Sequence, residues 1–450
     1  MIEKYKLFYR TFIVLFWIMM CWGFVSEEFF PFLSKLTTLE MLFIDGAFAL
    51  FGFVTIRNKG DIAVLVTFLV IGITSTVFVN HIGWFNFCNG FRDFVGIIFV
   101  VPVIRWFFRS ERSADFVRDF DKQLKIWLYV QAFCLTWQFI RYGANDAGGG
   151  SFGYGSSGMV STLIYLISFY LLSKNWDSSN VWKSIKENKE YLILLYPTFL
   201  NETKISFIYL MLYMLLLIRF DRTIWIKAIF LFPIFGLMMA LLFSVYLDIT
   251  DQEGDEVLSM QFINQYFLTG SQDFDYEVDM AIRYFDGEFD DDLSVEWWNM
   301  DLPRYAKVVL AVPVVAEEKG GAMWGTGVGT LKSGKVSEPT RFARQYEYML
   351  FGTRIWPLFL FVSAGVLGII WWIWAYCRIA FMKKVVGVMN KKVLIFLNLQ
   401  VLMIFFYSDF IRNVAPMLVF IYILFELRNP VDETDNQKAL LERKFAPELV

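Results

Sequence analysis

Residues 353–377 read TRIWPLFLFVSAGVLGIIWWIWAYC, and Arg354 is the only formal charge in them. A helix of this length rises ~37 Å, enough to cross the ~30 Å hydrocarbon layer of a bilayer. So unbroken a run of Leu, Ile, Phe and Trp has no water-facing side. The runs 392–408 and 413–427 repeat the pattern downstream, with Lys383, Lys384 and Lys391 between the first two of the three. The same alternation of apolar runs and short charged links extends back to the N-terminus. Of the 450 residues 57% are apolar, 19% aromatic and only 19% charged, with mean hydropathy +0.49. Soluble domains lie nearer ~45–50% apolar and ~25% charged. The sequence therefore predicts an all-α polytopic integral membrane protein.

Twelve spans are expected, at 8–24, 37–56, 62–79, 93–108, 124–141, 157–173, 189–200, 205–219, 224–247, 353–377, 392–408 and 413–427. The seventh is short, contains Pro197 and ends in Asn201-Glu202-Thr203-Lys204, which predicts a broken helix packed on protein. Three regions follow: spans 1–9 within 1–247, a segment 248–352 on the outer side, spans 10–12 within 353–428. A tail, 429–450, closes the chain. Lys and Arg cluster in alternate links, and the five short links of the other set hold one each: Lys35, Arg92, Arg141, Lys204 and Arg412. Positive charge marks the cytoplasmic side, so both termini are expected on the cytoplasmic side. The first run lacks a small-residue cleavage site and reads as a retained helix.

Composition excludes several chemistries. One His (His81) and four Cys (Cys21, Cys88, Cys134, Cys377) supply no CxxC, HxxxH or HExxH spacing, so no zinc, haem or iron–sulfur site is expected. The net charge of −3 argues against nucleic acid. No GxxxxGK[ST] stretch occurs, which argues against a bound nucleotide.

The outer segment is electrically polarised. Residues 248–301 carry 16 acidic groups and one basic, whereas 302–352 carry four acidic and seven basic. Arg304, Arg341, Arg344, Lys204 and Arg92 can converge on an anion, since guanidinium offers phosphate a planar fork of donors. They can equally pair with the segment's own carboxylates. Gly325, Gly327 and Gly329 in WGTGVGT (324–330) form a turn whose N–H groups can approach an anion, or a plain return to the membrane. A second glycine-rich link, GGGSFGYGSSG (148–158), precedes the sixth span. Glu347 lies three residues after Arg344, on one helical face, as a candidate base or as its partner. The acidic run at 286–292 lacks EF-hand spacing. Trp297-Trp298 reads as a sugar platform or an interfacial anchor, His81 as an interfacial residue, and Asp409 as the partner of Arg412.

In this order the features resemble the O-antigen polymerase and O-antigen ligase superfamily. SFGYGSSGMVSTLIYLIS (151–168) is similar to its glycine-aromatic turn leading into a span. In NETKISFIYLMLYM, Lys204 stands where the family usually has the Arg of a Ser-Arg sequence. RYAKVVLAVPVVAEEKGGAMWGTGVGT (304–330) resembles its arginine-led helix running into G-x-G-x-G. RFARQYEYMLFG (341–352) repeats its Arg, ten residues, Gly spacing ending at Gly352, and resembles the family's H-N-x-Y-L…G sequence with Arg341 at the His position.

The resemblance implies a GT-C-like bundle of about twelve helices and a glycosyltransferase that needs neither metal nor cofactor. It would polymerise undecaprenyl-diphosphate-linked oligosaccharides of O-antigen, capsule or exopolysaccharide, partnered by donor, acceptor, membrane lipid and a chain-length regulator. It assigns the donor diphosphate to Arg304 and Arg341, with Lys204 assisting. Lys204 departs from the family's Arg, and the outer segment holds no His, which favours polymerase over ligase. A transporter of lipid-linked glycan is the reading from another class. Against it, Asp45 is the main ionisable residue expected at mid-depth.

Overall fold

In an apolar surrounding, backbone N–H and C=O groups must pair within their own segment, which leaves helices as the solution for these runs. The computed structural model describes residues 2–30, 32, 37–143, 148–177, 180–201, 205–217, 304–331, 340–350, 355–380, 385–408 and 410–428. Among the described residues every regular element is helical. The predicted ninth span, residues 248–303 of the outer segment and the tail 429–450 lie outside them.

Helices α1 (Ile2–Glu28) and α6 (Ser113–Tyr142) run side by side in the same direction. Phe12 meets Phe116 and Phe120 near their starts, and Glu28 meets Arg141 at 2.6 Å at their ends. These contacts define a near end of the bundle, at Tyr5, and a far end, at Glu28. Helix α2 (Thr37–Thr55) descends from the far end. Helix α3 (Lys59–Ile73) rises and continues as a π-helical turn, Thr74–Val79. Next come α4 (Trp84–Phe91), a 3-10 turn (Arg92–Phe94) and α5 (Val95–Phe108), which together form one 25-residue stretch.

Helix α7 (Ser157–Lys174) lies almost wholly buried at the centre. Short helices α8 (Val181–Glu187), α9 (Lys189–Ile193) and α10 (Pro197–Leu200) precede α11 (Ile205–Leu217). The expected seventh span is thus broken into α9 and α10. The outer segment contributes α12 (Arg304–Glu317), α13 (Gly321–Trp324) and α14 (Arg341–Leu350). The chain closes with α15 (Trp356–Ala380), α16 (Val388–Tyr407), a 3-10 turn (Phe410–Arg412) and α17 (Val414–Arg428).

Among the described residues six helical stretches are long and apolar enough to cross a membrane: Tyr5–Glu28, Lys59–Val79, Trp84–Phe108, Ser157–Lys174, Trp356–Ala380 and Val388–Phe406. Phe43 and Leu50 of α2 are 80% and 72% exposed; large apolar side chains facing outward suit a lipid surround, not water.

One of the six is not straight. The rings of Trp356 and Trp372 lie 6.3 Å apart, although sixteen residues of continuous helix would separate them by ~24 Å. The chain folds back at Gly365, where φ is 64° and ψ −160°. The run that most plainly announces a span is therefore two antiparallel legs, 356–364 and 366–380.

Candidate functional site

The bend at Gly365 is where the outer segment enters the bundle. Residues 325–331 are all buried. The Thr326 N–H donates to the Val362 carbonyl at 2.7 Å, and its hydroxyl donates to the same oxygen at 2.9 Å. The π-helical turn holds the other side. Ser75 Oγ donates to the Trp324 carbonyl at 2.6 Å, Thr76 Oγ1 accepts from Val328 N at 2.8 Å, and Asn80 Nδ2 reaches the Gly325 carbonyl at 3.0 Å. A π turn and a bent helix both release backbone carbonyls from their ladders, and here such a carbonyl takes the turn's donor. Side chains are excluded at the contact: a Cβ on Gly329 (φ +87°) would overlap the Asn86 carbonyl, and one on Gly90 would overlap Gly329 N. The stretch expected as an anion cradle or a plain return is a buried plug with several of its donors engaged by protein.

Gly90 leads directly into a chain of charges. Arg92 Nε is 3.3 Å from Asp45 Oδ2, and Arg412 Nη1 is 3.3 Å from Asp93 Oδ1. The Arg412 guanidinium also lies 5.8 Å above the Phe359 ring. Sequence reading placed Arg92 in an outer link and paired Arg412 with Asp409. The structure instead sets Arg92 eight residues, ~12 Å, inside the stretch Trp84–Phe108; Arg412 also reaches across the bundle to Asp93. Asp409 lies outside the described residues. Ionisable groups so far inside a bundle are uncommon unless paired, and these two Arg and two Asp are formally neutral together.

The remaining candidates divide. Arg341 begins α14 just beyond the glycine turn, to which Thr340 Oγ1 is tied through the Thr330 carbonyl at 3.0 Å. Its guanidinium is 79% exposed and meets Glu318 at 2.9 Å. Arg304 is the first described residue of α12, and Glu318 follows the opposite end of that helix. The 14 residues of α12 put Arg304 and the Arg341 contact ~20 Å apart. Lys307, one turn into α12, is fully buried; apart from its place beside Arg304, nothing in the sequence marks it.

Arg344 is exposed on α14, near Arg341. Gly325, Gly327 and Gly329 all adopt positive φ within the plug. Glu347 falls on α14 with its side chain outside the described residues, and Lys204 and Gly352 fall outside them altogether. Among the described residues no three His, Cys, Asp or Glu cluster as metal ligands.

The second glycine-rich link also re-enters the bundle. Gln131 Oε1 accepts from Ser151 N at 3.0 Å while its Nε2 bonds Ser151 Oγ; Gln138 Oε1 accepts from Gly150 N at 2.8 Å. Trp127 Nε1 adds a bond to Ser151 Oγ at 3.3 Å. At the rim Tyr154 N donates to Glu27 at 2.6 Å, and burial pushes the Tyr154 hydroxyl well above the usual tyrosine range. The signal for this seat was present: Gln131 and Gln138 stand seven apart in an apolar run, hence on one helical face.

Two polar clusters at the near end were missed altogether. Asp61, nearly buried, bonds both Arg105 and Arg378, the latter at 2.8 Å. Lys174 bridges Asp121 and Glu426, with Tyr170 and Tyr422 donating to Asp121 at 2.9 and 2.7 Å. Comparison with protein-family models, curated proteins and solved structures gives no match for this chain.

Proposed function

We propose that the protein is a bacterial inner-membrane glycosyltransferase of about twelve spans, GT-C-like, with both termini cytoplasmic. It joins undecaprenyl-diphosphate-linked oligosaccharide repeat units on the outer face. The observation that supports this best is Arg341: it opens a helix tied to the G-x-G-x-G plug, with most of its guanidinium accessible to a ligand. Diphosphate is a competent leaving group, so the protein's task is to neutralise the charge that develops on it and to align the attacking hydroxyl. The chemistry is a displacement in which the bond from the donor sugar to the diphosphate oxygen breaks as the acceptor hydroxyl, losing its proton, bonds to that sugar.

Both substrates of such a polymerase carry a diphosphate. The ~20 Å of helix between Arg304 and the Arg341 contact leaves room for two diphosphates, so this reading gives Arg341 the donor's and Arg304 the acceptor's. The more deeply placed Arg92 and Arg412, each held by an Asp, support the glycine plug from beneath. Arg344 and Gly352 fall to the donor side through their place beside Arg341 in sequence.

The test is to supply purified protein with a matched polyprenyl-diphosphate oligosaccharide and separate products by size. A ladder rising by whole repeat units is expected. Arg341→Ala should abolish it. Arg304→Ala should abolish it too, but retain transfer to a soluble oligosaccharide acceptor that lacks diphosphate. Long-chain product from both variants would refute these assignments. Transfer solely to an added lipid A core acceptor would make the protein a ligase, and no transfer at all would favour transport of the lipid-linked glycan.

A further inference from the structure

The near end of the bundle carries a cleft of ≈ 290 Å³ between the first turns of α1 and α6. Helix α1 contributes Lys6 and Arg10, one turn apart on one face, and the start of α6 contributes Arg112 and Arg118. Two carboxylates also line the cleft, and Arg118 engages both: its Nη2 is 3.1 Å from Asp115 and its Nε 3.4 Å from Asp119. Lys6 and Arg10 form no ion pair with the described residues. Arg112 lies over the ring of Tyr5, 5.7 Å from its centroid. Three cations therefore face the cleft without a carboxylate of their own among the described residues.

The walls are aromatic and ordered. Tyr5 stacks on Tyr9 with an interplanar angle of 1°, and on Trp106 at 17°, both with centroids 6.2 Å apart. The Tyr5 hydroxyl donates to the Arg112 carbonyl at 3.4 Å, tying α1 to α6 across the cleft. The cleft also lies where the apolar stretch Tyr5–Glu28 begins, the level at which a bilayer changes from hydrocarbon to headgroup. Amphipathic rings settle at that level, and basic pockets between membrane helices hold anionic headgroups.

We propose that this cleft binds a phosphate group, that of an anionic phospholipid of the leaflet at the near end, with Lys6, Arg10 and Arg112 as its donors. Helices α1 and α6 carry the glycine-rich link 148–158 at their far ends. A headgroup clamped between their first turns would thus brace the pair that seats that link. This inference is independent of the enzymatic reading.

The test uses the full-length protein in uncharged detergent, titrated separately with phosphatidylglycerol, phosphatidylcholine and inorganic phosphate while thermal unfolding is followed. Phosphatidylglycerol is expected to raise the unfolding midpoint saturably, and phosphatidylcholine to leave it unmoved. Lys6→Gln combined with Arg10→Gln should weaken the apparent affinity about 30-fold, at roughly fivefold per cation. Lys6→Gln alone should give about fivefold by the same reckoning, which keeps the test open if the double variant folds poorly. Lys186→Gln, an exposed cation on α8, should bind as the unaltered protein does. Saturable stabilisation by inorganic phosphate, lost in the same variants, would keep the phosphate site and assign it a soluble ligand. Equal affinity in the cleft variants, or equal weakening by Lys186→Gln, would overturn the proposal.

Discussion

Two glycine-rich links enter this bundle from its far end, and they are seated in opposite ways. The link at 148–158 rests between α1 and α6, both continuous, and its buried backbone is met by side chains: Gln131 and Gln138 take the Ser151 and Gly150 N–H groups. The link at 320–331 is also met by side chains, Ser75, Thr76 and Asn80, but these come from irregular backbone, the π turn after α3, and the link packs on the bend at Gly365. A regular helix with polar side chains makes a rigid seat. Two interrupted helices make one that can shift, and interruptions of this kind concentrate at functional sites. Arg341 extends from the second link, and Arg92 stands two residues after Gly90, which that link touches. On the proposed function, the difference makes the first link scaffold and the second part of the working surface.

The sharpest way to break that contrast is to crowd each seat. A Cβ on Gly23 would overlap the Phe152 carbonyl, as one on Gly90 would overlap Gly329. With two continuous helices unable to yield, Gly23→Val should cost about 4 kcal/mol, among the larger single-residue effects. Gly90→Val, beside elements that can move, should cost about 2 kcal/mol yet stop chain growth in the ladder assay. Unfolding in detergent together with that assay checks both. Equal destabilisation with activity spared in Gly90→Val would erase the distinction.

A gentler probe removes single partners. Gln131→Leu strips a buried acceptor from Ser151 N and a bond from Ser151 Oγ, which should cost about 2–3 kcal/mol without changing turnover per folded molecule. Thr76→Val leaves the Val328 N–H without its side-chain acceptor, at about 1–2 kcal/mol. It should also lower turnover, since the plug would lose its register. Turnover that falls in Gln131→Leu and holds in Thr76→Val would reverse the roles assigned to the two links.

How much of this was legible in the sequence depends on range. Helices and their apolar character follow from local composition, and Arg304 falls on a helix as its motif implied. The fold-back at Gly365 was not readable, because a lone glycine in VSAGVLG looks the same in a straight span and in a bend. Arg92 was placed in a link because WFNFCNGF carries two Asn and a Gly, yet packing makes it helical and draws Arg92 inward. Arg412 also meets an acid 319 positions distant, Asp93. Local charge patterning gives no access to such pairs.

The smallest expected effect tests the working surface most directly. Arg341 is 79% exposed and Glu318 18%, so the pair is open to solvent on the arginine side and Glu318→Gln should change stability by about 1 kcal/mol. If Glu318 merely holds Arg341 in place until a diphosphate arrives, removing its charge frees the guanidinium. Donor KM should then fall, while kcat stays near its original value. If the pair is instead the purpose of both residues, Glu318→Gln and Arg341→Ala should resemble one another, each slightly destabilising and neither affecting the ladder. The two substitutions together separate a cation reserved for a ligand from one spent on its neighbour, which is the distinction on which the contrast between the two glycine links rests.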